Sequence, residues 1–214
     1  GQFVDRFLTP LCPKNKVNAA MISFNWDIIT EQMLIDKFGH CKYGDSGVKI
    51  YPGYRGFSAG ITLLKLHGSA NWIYCNDCRE IYAFKHTLAH DNNLMSTTSC
   101  PEGHKKLQRV IVPPSWEKRE YVDHIREIWT EAWGLLRKAE RIVIIGYSFS
   151  ERDLLSRYLV RSAMGGNEKL KKIYIVNGST DDAEIFIKSC TNRNIINTSK
   201  TFSDFVSDYD THKL

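Results

Sequence analysis

Arg141-Ile142-Val143-Ile144-Ile145-Gly146-Tyr147-Ser148-Phe149-Ser150-Glu151-Arg152-Asp153 is the stretch that decides the fold class. An unbroken aliphatic run such as Ile142–Ile145, with no polar alternation, is the mark of a strand covered on both faces, as in a parallel sheet. Gly146 ends the run. Ser150 and Asp153 form an S-x-x-D start, which predicts a capped helix from Ser150 with Leu154, Leu155, Tyr158 and Leu159 along one side. Strand, turn and helix in that order is the unit from which open α/β sheets are assembled.

Working outward, short runs rich in branched residues recur at Ala20–Phe24, Ile61–Leu66, Val110–Val112, Ile173–Val176 and Asn194–Ile196. Between them, residues 121–139 carry Ile125, Ile128, Trp129, Ala132, Leu135 and Leu136 at helical spacing. Alternating strands and helices imply a Rossmann-like parallel sheet. Two segments break the rhythm. Residues 39–60 are rich in Gly and Tyr and read as a long loop. Residues 73–106 are polar, carry Cys and His, and read as a small insert. The expected division is a core of 1–72 and 107–214 with an inserted module at 73–106.

Composition narrows the class without naming a function. Hydrophobic residues at 43% and charged residues at 25% are globular values, which excludes a disordered, collagen-like or coiled-coil chain. No stretch approaches the roughly 18 apolar residues of a membrane span. The net charge of +5 is spread over short basic clusters such as His104-Lys105-Lys106, so no nucleic-acid surface is indicated. Six cysteines in 214 residues are too few for a disulfide framework, and with no signal peptide they point to a metal site in a cytoplasmic protein. The start at Gly1 reads as a piece of a longer chain. Five Trp and ten Tyr residues offer anchors for a homo-oligomer interface, although Trp129 and Trp133 also suit a helix core.

The strongest chemical signal is Cys75-Asn76-Asp77-Cys78 with Cys100-Pro101-Glu102-Gly103-His104, 21 residues separating Cys78 from Cys100. A C-x2-C and a C-x3-H knuckle can close a tetrahedron around one structural Zn²⁺ and stabilise a module with little core of its own. His86 and His90 compete with His104 for the fourth position. The bland reading of the same residues is a set of unrelated free thiols.

Four further motifs lie at strand ends, where open α/β sheets bind ligands. Ser23-Phe24-Asn25-Trp26-Asp27 follows the first run, and Asp27 suits either a ligand contact or a helix cap. Lys65-Leu66-His67-Gly68-Ser69 follows the second. A lone His is more often structural, but Gly68 lets a ligand approach the backbone. Gly146-Tyr147-Ser148-Phe149-Ser150 joins a small residue, hydroxyls and a helix amino terminus, which suits phosphate or ribose. Val176-Asn177-Gly178 is a generic strand end by itself.

In this order the motifs resemble the sirtuin-like superfamily. Its members carry T-Q-N-x-D, then H-G, then a zinc module of cysteine pairs, then a G-[ST]-S turn and an I-N strand end. The non-deacylase, NAD-hydrolase branch reads closer, with T-N-Y-D, K-L-H-G-S, P-P-[ST]-x-x-K and G-Y-S-L-x-x-x-D. Here these are Phe24–Asp27, Lys65–Ser69, Pro113-Pro114-Ser115-Trp116-Glu117-Lys118 and Gly146–Asp153, so the resemblance covers residues 18–210. It implies a sirtuin/DHS-like NAD-binding fold with a zinc insert. Catalytic roles fall on His67 as general base, on Asn25 placing the attacking water, and on Asp27 beside them. Contacts to NAD+ fall on Ser23, Gly68, Gly146, Ser148 and Asn177, and structural Zn²⁺ on Cys75, Cys78, Cys100 and His104. The implied activity is hydrolysis of NAD+ to nicotinamide and ADP-ribose, in the manner of a bacterial anti-phage effector.

The chain departs from the family pattern in three places. The opening strand with its G-A-G-x-S loop is lacking, so the chain starts at a helix-like stretch near Phe3–Leu8. Val110–Pro114 stands where deacylases carry F-G-E, and its prolines cannot donate the ladder bonds that hold a substrate peptide. His104 stands where the family has Cys. Two rival functions follow, an NAD-dependent protein deacylase and a catalytically silent NAD or ADP-ribose sensor or scaffold. Asn25 and His67 are both expected to carry little of the core, as polar residues at strand ends.

Overall fold

The computed structural model describes residues 19–38, 41–45, 47–52, 61–84, 97–112, 119–178 and 181–208. In chain order the elements are β1 (Ala20–Ser23), α1 (Ile29–Phe38), β2 (Val48–Ile50), β3 (Thr62–Lys65), β4 (Gly68–Cys75), β5 (Glu80–Ala83), β6 (Leu107–Ile111), α2 (Arg119–Lys138), β7 (Arg141–Ile145), α3 (Leu154–Gly165), β8 (Lys172–Val176), α4 (Asp181–Cys190), β9 (Asn194–Asn197) and α5 (Phe202–Asp208). The protein is mixed α/β with parallel sheets. It divides into two compact units, Ala19–Glu131 and one that contains Ala132–Leu214. None of the described helices is long and apolar enough to cross a membrane.

In the first unit β1 and β3 run parallel, Ala20 opposite Thr62 and Ser23 opposite Lys65. Leu63, Leu64 and Lys65 of β3 are all buried, as an unalternating strand requires. Ile125 and Ile128 of α2 are buried as their helical spacing predicts. Four other strands form a sheet in the order β2-β5-β4-β6. β2 is parallel to β5, while β4 is antiparallel to both β5 and β6. This corrects the expectation for Val110–Val112, which lies at the end of an antiparallel strand and not in a parallel core. Its strand pairs with β4, Arg109 opposite Ile73 and Gln108 opposite Tyr74, in a sheet separate from the parallel β1–β3 pair. β4 starts at Gly68 and passes residue 73, so this sheet takes in residues on both sides of the expected insert. One small core cluster on it is Ile73, Cys75, Tyr82 and Cys100, flanked by Tyr51, Phe84 and Leu107, and Trp72, Ile81 and Val110 are buried as well.

In the second unit β7, β8 and β9 form a parallel sheet in sequential order. Phe149, Val160, Met164, Ile173, Ile175, Phe186 and Ile187 share its core. The helix after Ser150 starts later than its S-x-x-D signal implies. Asp153 caps α3 by accepting from the Ser156 N–H, while Ser150 accepts from the Asp153 N–H at 3.0 Å in the turn before it. The later start moves the buried stripe to Ser156, Leu159, Val160, Ala163 and Met164. Leu154, Leu155 and Tyr158 are exposed, which corrects the expected apolar side. The stripe hides behind Ser156, a polar residue that fits the core because its hydroxyl donates to Asp153 at 2.6 Å.

Candidate active site and metal centre

Cys75 ends β4, Cys78 closes the turn into β5, and Cys100 and His104 lie on the approach to β6. Their ligand atoms all fall within 4.8 Å of one another. Nδ1 of His104 is 3.8, 3.2 and 3.4 Å from the sulfurs of Cys75, Cys78 and Cys100, and the Cys78 and Cys100 sulfurs are 3.6 Å apart. A tetrahedral Zn²⁺ with Zn–S about 2.3 Å and Zn–N about 2.0–2.1 Å has edges of about 3.8 Å between sulfurs and about 3.6 Å from sulfur to nitrogen. The four side chains therefore already have the spacing of a Zn²⁺ shell, and a closed Cys3His set leaves no position for substrate. Both knuckles turn through a left-handed residue, Arg79 (φ 58) after Cys78 and Gly103 (φ 85) before His104. Burial raises the Cys100 thiol pKa, but backbone N–H groups of His104 and Glu102 outweigh it and bring it down to about 7, closer to the thiolate a metal requires. All four residues match the ligand set read from the sequence. His86 and His90 lie outside the described residues, as do Pro113–Lys118 and the stretch near Phe3–Leu8.

A second arrangement sits at the carboxyl ends of β1 and β3. Because Ser23 pairs with Lys65, Asn25 and His67 each step two residues beyond a paired position on adjacent parallel strands. The Leu66 N–H donates to the Ser23 carbonyl at 3.0 Å, which extends that pairing past the strand end. Asn25 is exposed, and its N–H donates to the Ser23 hydroxyl at 3.2 Å. His67 is buried at 2% exposure, against the expectation that it carries little of the core. Its ring lies 5.7 Å from that of Phe24 and 6.1 Å from that of Trp129, and its Nδ1 is 2.9 Å from the Val112 carbonyl oxygen. An Nδ1–H donating to that carbonyl leaves the lone pair of the neutral ring on Nε2. Asp27 uses one carboxylate oxygen to accept from the Ile29 N–H at 3.0 Å, the capping role set beside its ligand role in the sequence. Gly68 has φ 78, and a Cβ there would lie 1.9 Å from the Val110 carbonyl oxygen. The protein's own backbone therefore accounts for this glycine, with no ligand required.

Gly146, Ser148 and Asn177 lie in the second unit. Ile145 pairs with Val176, so Gly146 and Asn177 both follow strand ends, and the Gly146 N–H donates to the Val176 carbonyl at 3.0 Å. Gly146 takes φ 65 with no atom within 4 Å of a Cβ position, so the backbone turn alone selects glycine here. Ser148 is exposed beside it.

Sequence reading missed a buried polar cluster under the first arrangement. Lys65, Tyr43 and Ser69 all donate to one oxygen of Glu31, at 2.8, 3.0 and 3.2 Å. Lys65 and Glu31 side chains are 1% and 2% exposed. Burial pulls the Lys65 ammonium pKa down, against the attraction of Glu31. The available signal was Lys65 itself, a charge at the end of a run of buried apolar residues.

No protein-family model and no curated protein matches the chain. Among solved structures it is similar to Sir2Tm bound to a propionylated peptide, at 16% identity and a TM-score of 0.47 over 94% of this chain and 65% of that one. It is also similar to Sir2 bound to an acetylated peptide, at 16% identity and a TM-score of 0.46 over the same shares. A third likeness, to a structure on the mechanism and regulation of Sir2 enzymes, has 17% identity and a TM-score of 0.39 over 84% of this chain and 56% of that one. The chain spans less than two thirds of each.

Proposed function

We propose that this chain is a sirtuin-like NAD+-binding domain that hydrolyses NAD+ to nicotinamide and ADP-ribose, with Zn²⁺ as a structural ion. The observation that carries the reading is the register of Asn25 and His67, one amide and one imidazole leaving adjacent parallel strand ends. In the reaction the bond between ribose C1′ and the nicotinamide nitrogen breaks, and its electron pair leaves with nicotinamide. Water supplies the oxygen that bonds to C1′ and releases one proton. Asn25, exposed on its turn, orients that water. His67, proton on Nδ1 and lone pair on Nε2, serves as base toward the ribose hydroxyls, and Phe24 and Trp129 fix its ring. Within the second unit, Gly146, Ser148 and Asn177 are taken as NAD+ contacts at the ends of β7 and β8, the exposed Ser148 offering its hydroxyl. Asp27 and Ser23 belong to the same reading as pocket residues, with Asp27 acting through the turn it caps, while Gly68 serves the close approach of the Val110 backbone. Cys75, Cys78, Cys100 and His104 would hold Zn²⁺, which supplies cross-linking and no step of the reaction.

Such an enzyme belongs in the cytoplasm, where NAD+ is abundant and thiols stay reduced, and its depletion of NAD+ suits an anti-phage effector. Product analysis tests the reading. The full protein is incubated with NAD+ with and without an acetyl-lysine peptide, and products are resolved by liquid chromatography and mass spectrometry. Free ADP-ribose independent of peptide is expected, and Asn25→Ala should reduce it by about a hundredfold, the low end for a lost catalytic contact. Acetylated ADP-ribose formed only with peptide would replace this reading by deacylation. Binding without consumption would replace it by a sensor.

A further inference from the structure

We propose that Lys65 and Glu31 are a positioning pair, a buried ion pair that clamps the turn carrying Asn25 onto the strand end carrying His67. The inference rests on the proposed NAD+ hydrolysis and extends it to two residues that touch no substrate.

The turn of residues 24–28 leaves β1 and returns as α1, and its Asn25, Trp26 and Asp27 are exposed. Three bonds tie the turn and the strand end before it to the end of β3 and to β4. The Leu66 N–H donates to the Ser23 carbonyl, and the Ala70 N–H donates to the Trp26 carbonyl at 2.7 Å. The third is the Lys65 ammonium, which donates to the Asp27 carbonyl at the far end of the turn. Lys65 therefore reaches from the residue paired with Ser23 across to the residue two beyond Asn25. Glu31, on the first turn of α1, neutralises it from the other side and also collects Tyr43 and Ser69.

Stability alone does not call for this arrangement. A buried ion pair forfeits hydration on both charges, and apolar or neutral replacements of similar volume are often as stable. The other Glu31 oxygen is buried with no hydrogen-bond partner, a further cost. What the pair supplies is direction, since the ammonium donates to Asp27 and to Glu31 at once and so fixes both ends of the segment holding Asn25. A reacting group displaced by about 1 Å can lose about a hundredfold in rate.

The experiment compares wild type with Lys65→Met/Glu31→Gln, which removes both charges, keeps an acceptor for Tyr43 and Ser69, and deletes the donor to Asp27. Hydrogen exchange of the peptide covering 24–29, melting temperature, and kcat and KM for NAD+ are read together. Expected are exchange in 24–29 faster by about tenfold or more, a melting temperature within about 5 °C, kcat down about tenfold to a hundredfold, and KM within about threefold, because the displaced group orients water and does not hold the dinucleotide. Unchanged exchange in 24–29 overturns the clamp whatever the turnover. A loosened turn with unchanged kcat overturns the positioning role. A wild type that consumes no NAD+ overturns the parent reading and this role with it, while the exchange arm still decides whether the clamp exists. If the double variant does not fold, Glu31→Gln takes its place, removing the charge that holds Lys65, with the same direction in exchange and kcat lowered by about threefold.

Discussion

Nδ1 of His67 lies 2.9 Å from the carbonyl oxygen of Val112, and the Val112 N–H donates to the His67 carbonyl at 2.8 Å. The two residues hold each other through both backbone and ring. Val112 is thereby the residue that sets the imidazole tautomer, and it does so from beyond the end of β6.

That exchange separates the two proposed catalytic residues by stability. His67→Ala would remove a buried ring from between Phe24 and Trp129 and leave the Val112 carbonyl, itself in a residue 1% exposed, without its side-chain donor. We expect a loss of about 1–3 kcal/mol in denaturant unfolding. Asn25→Ala, at an exposed position, should stay within about 0.5 kcal/mol. Equal losses for both would show that the turn at Asn25 carries structural weight beyond its backbone bonds.

Metal removal should act on one sheet. One core cluster of β2-β5-β4-β6 includes two of the four candidate ligands, Cys75 and Cys100, so the contacts around Ile73 and Tyr82 lose their cross-link when the metal goes. One Zn²⁺ per chain is expected by elemental analysis under reducing conditions. Chelation should speed hydrogen exchange across residues 68–84 and 97–111 by at least about tenfold and leave β7, β8 and β9 unchanged, because structural Zn²⁺ contributes folding free energy directly. Cys100→Ser should reproduce this without chelator. Retained protection after complete metal loss would mean the module folds on its apolar contacts.

Local order in the chain separates what was readable from what was not. The Cys75–Cys78 and Cys100–His104 knuckles could be read because a metal shell is written in short spacings. The strand ends at Asn25, His67, Gly146 and Asn177 could be read because each follows an apolar run. Pairing direction could not: the Val110–Val112 run looks like a parallel strand because its partner, β4, lies more than thirty residues earlier in the chain and local pattern does not carry that pairing. The α3 stripe was misread because Ser156 looks like a solvent position until its bond to Asp153 is seen. The Lys65–Glu31 pair joins residues 34 apart, and charged residues read one at a time belong to the surface.

Cys41 tests the same buried cluster from the side of thiol chemistry. It is fully buried, and burial with the nearby Glu31 charge raises its thiol from an ordinary value of 9.0 to about 12, with Lys65 opposing. At neutral pH it should resist iodoacetamide in the native protein and react only on unfolding, as read by mass spectrometry. The sign of the pH dependence follows. With the folded pKa above the unfolded one, the unfolded chain binds fewer protons between about 9 and 12, so this contribution is full below that window and declines as pH rises through it. Cys41→Ala should flatten the decline. Rapid native alkylation of Cys41 at pH 7 would contradict the buried placement.

Two glycines give the last prediction, because the structure assigns them different reasons. Both have positive φ, 78 at Gly68 and 65 at Gly146. At Gly68 a Cβ would lie 1.9 Å from the Val110 carbonyl oxygen and 2.7 Å from its carbon, backbone atoms that can yield only if β4 and β6 separate. At Gly146 a Cβ meets nothing within 4 Å. Gly146→Ala therefore carries only the left-handed penalty, about 1–2 kcal/mol. Gly68→Ala adds the clash and should cost about 3 kcal/mol or more, enough to lower expression as well as the unfolding midpoint. Because Gly68 precedes the metal turn on the same strand, its variant should also release Zn²⁺ more readily in a chelator competition, whereas Gly146→Ala should not. If Gly68→Ala were as mild as Gly146→Ala, the close approach of Val110 would be wrong, and the ligand-facing reason for Gly68 read from the sequence would regain its place.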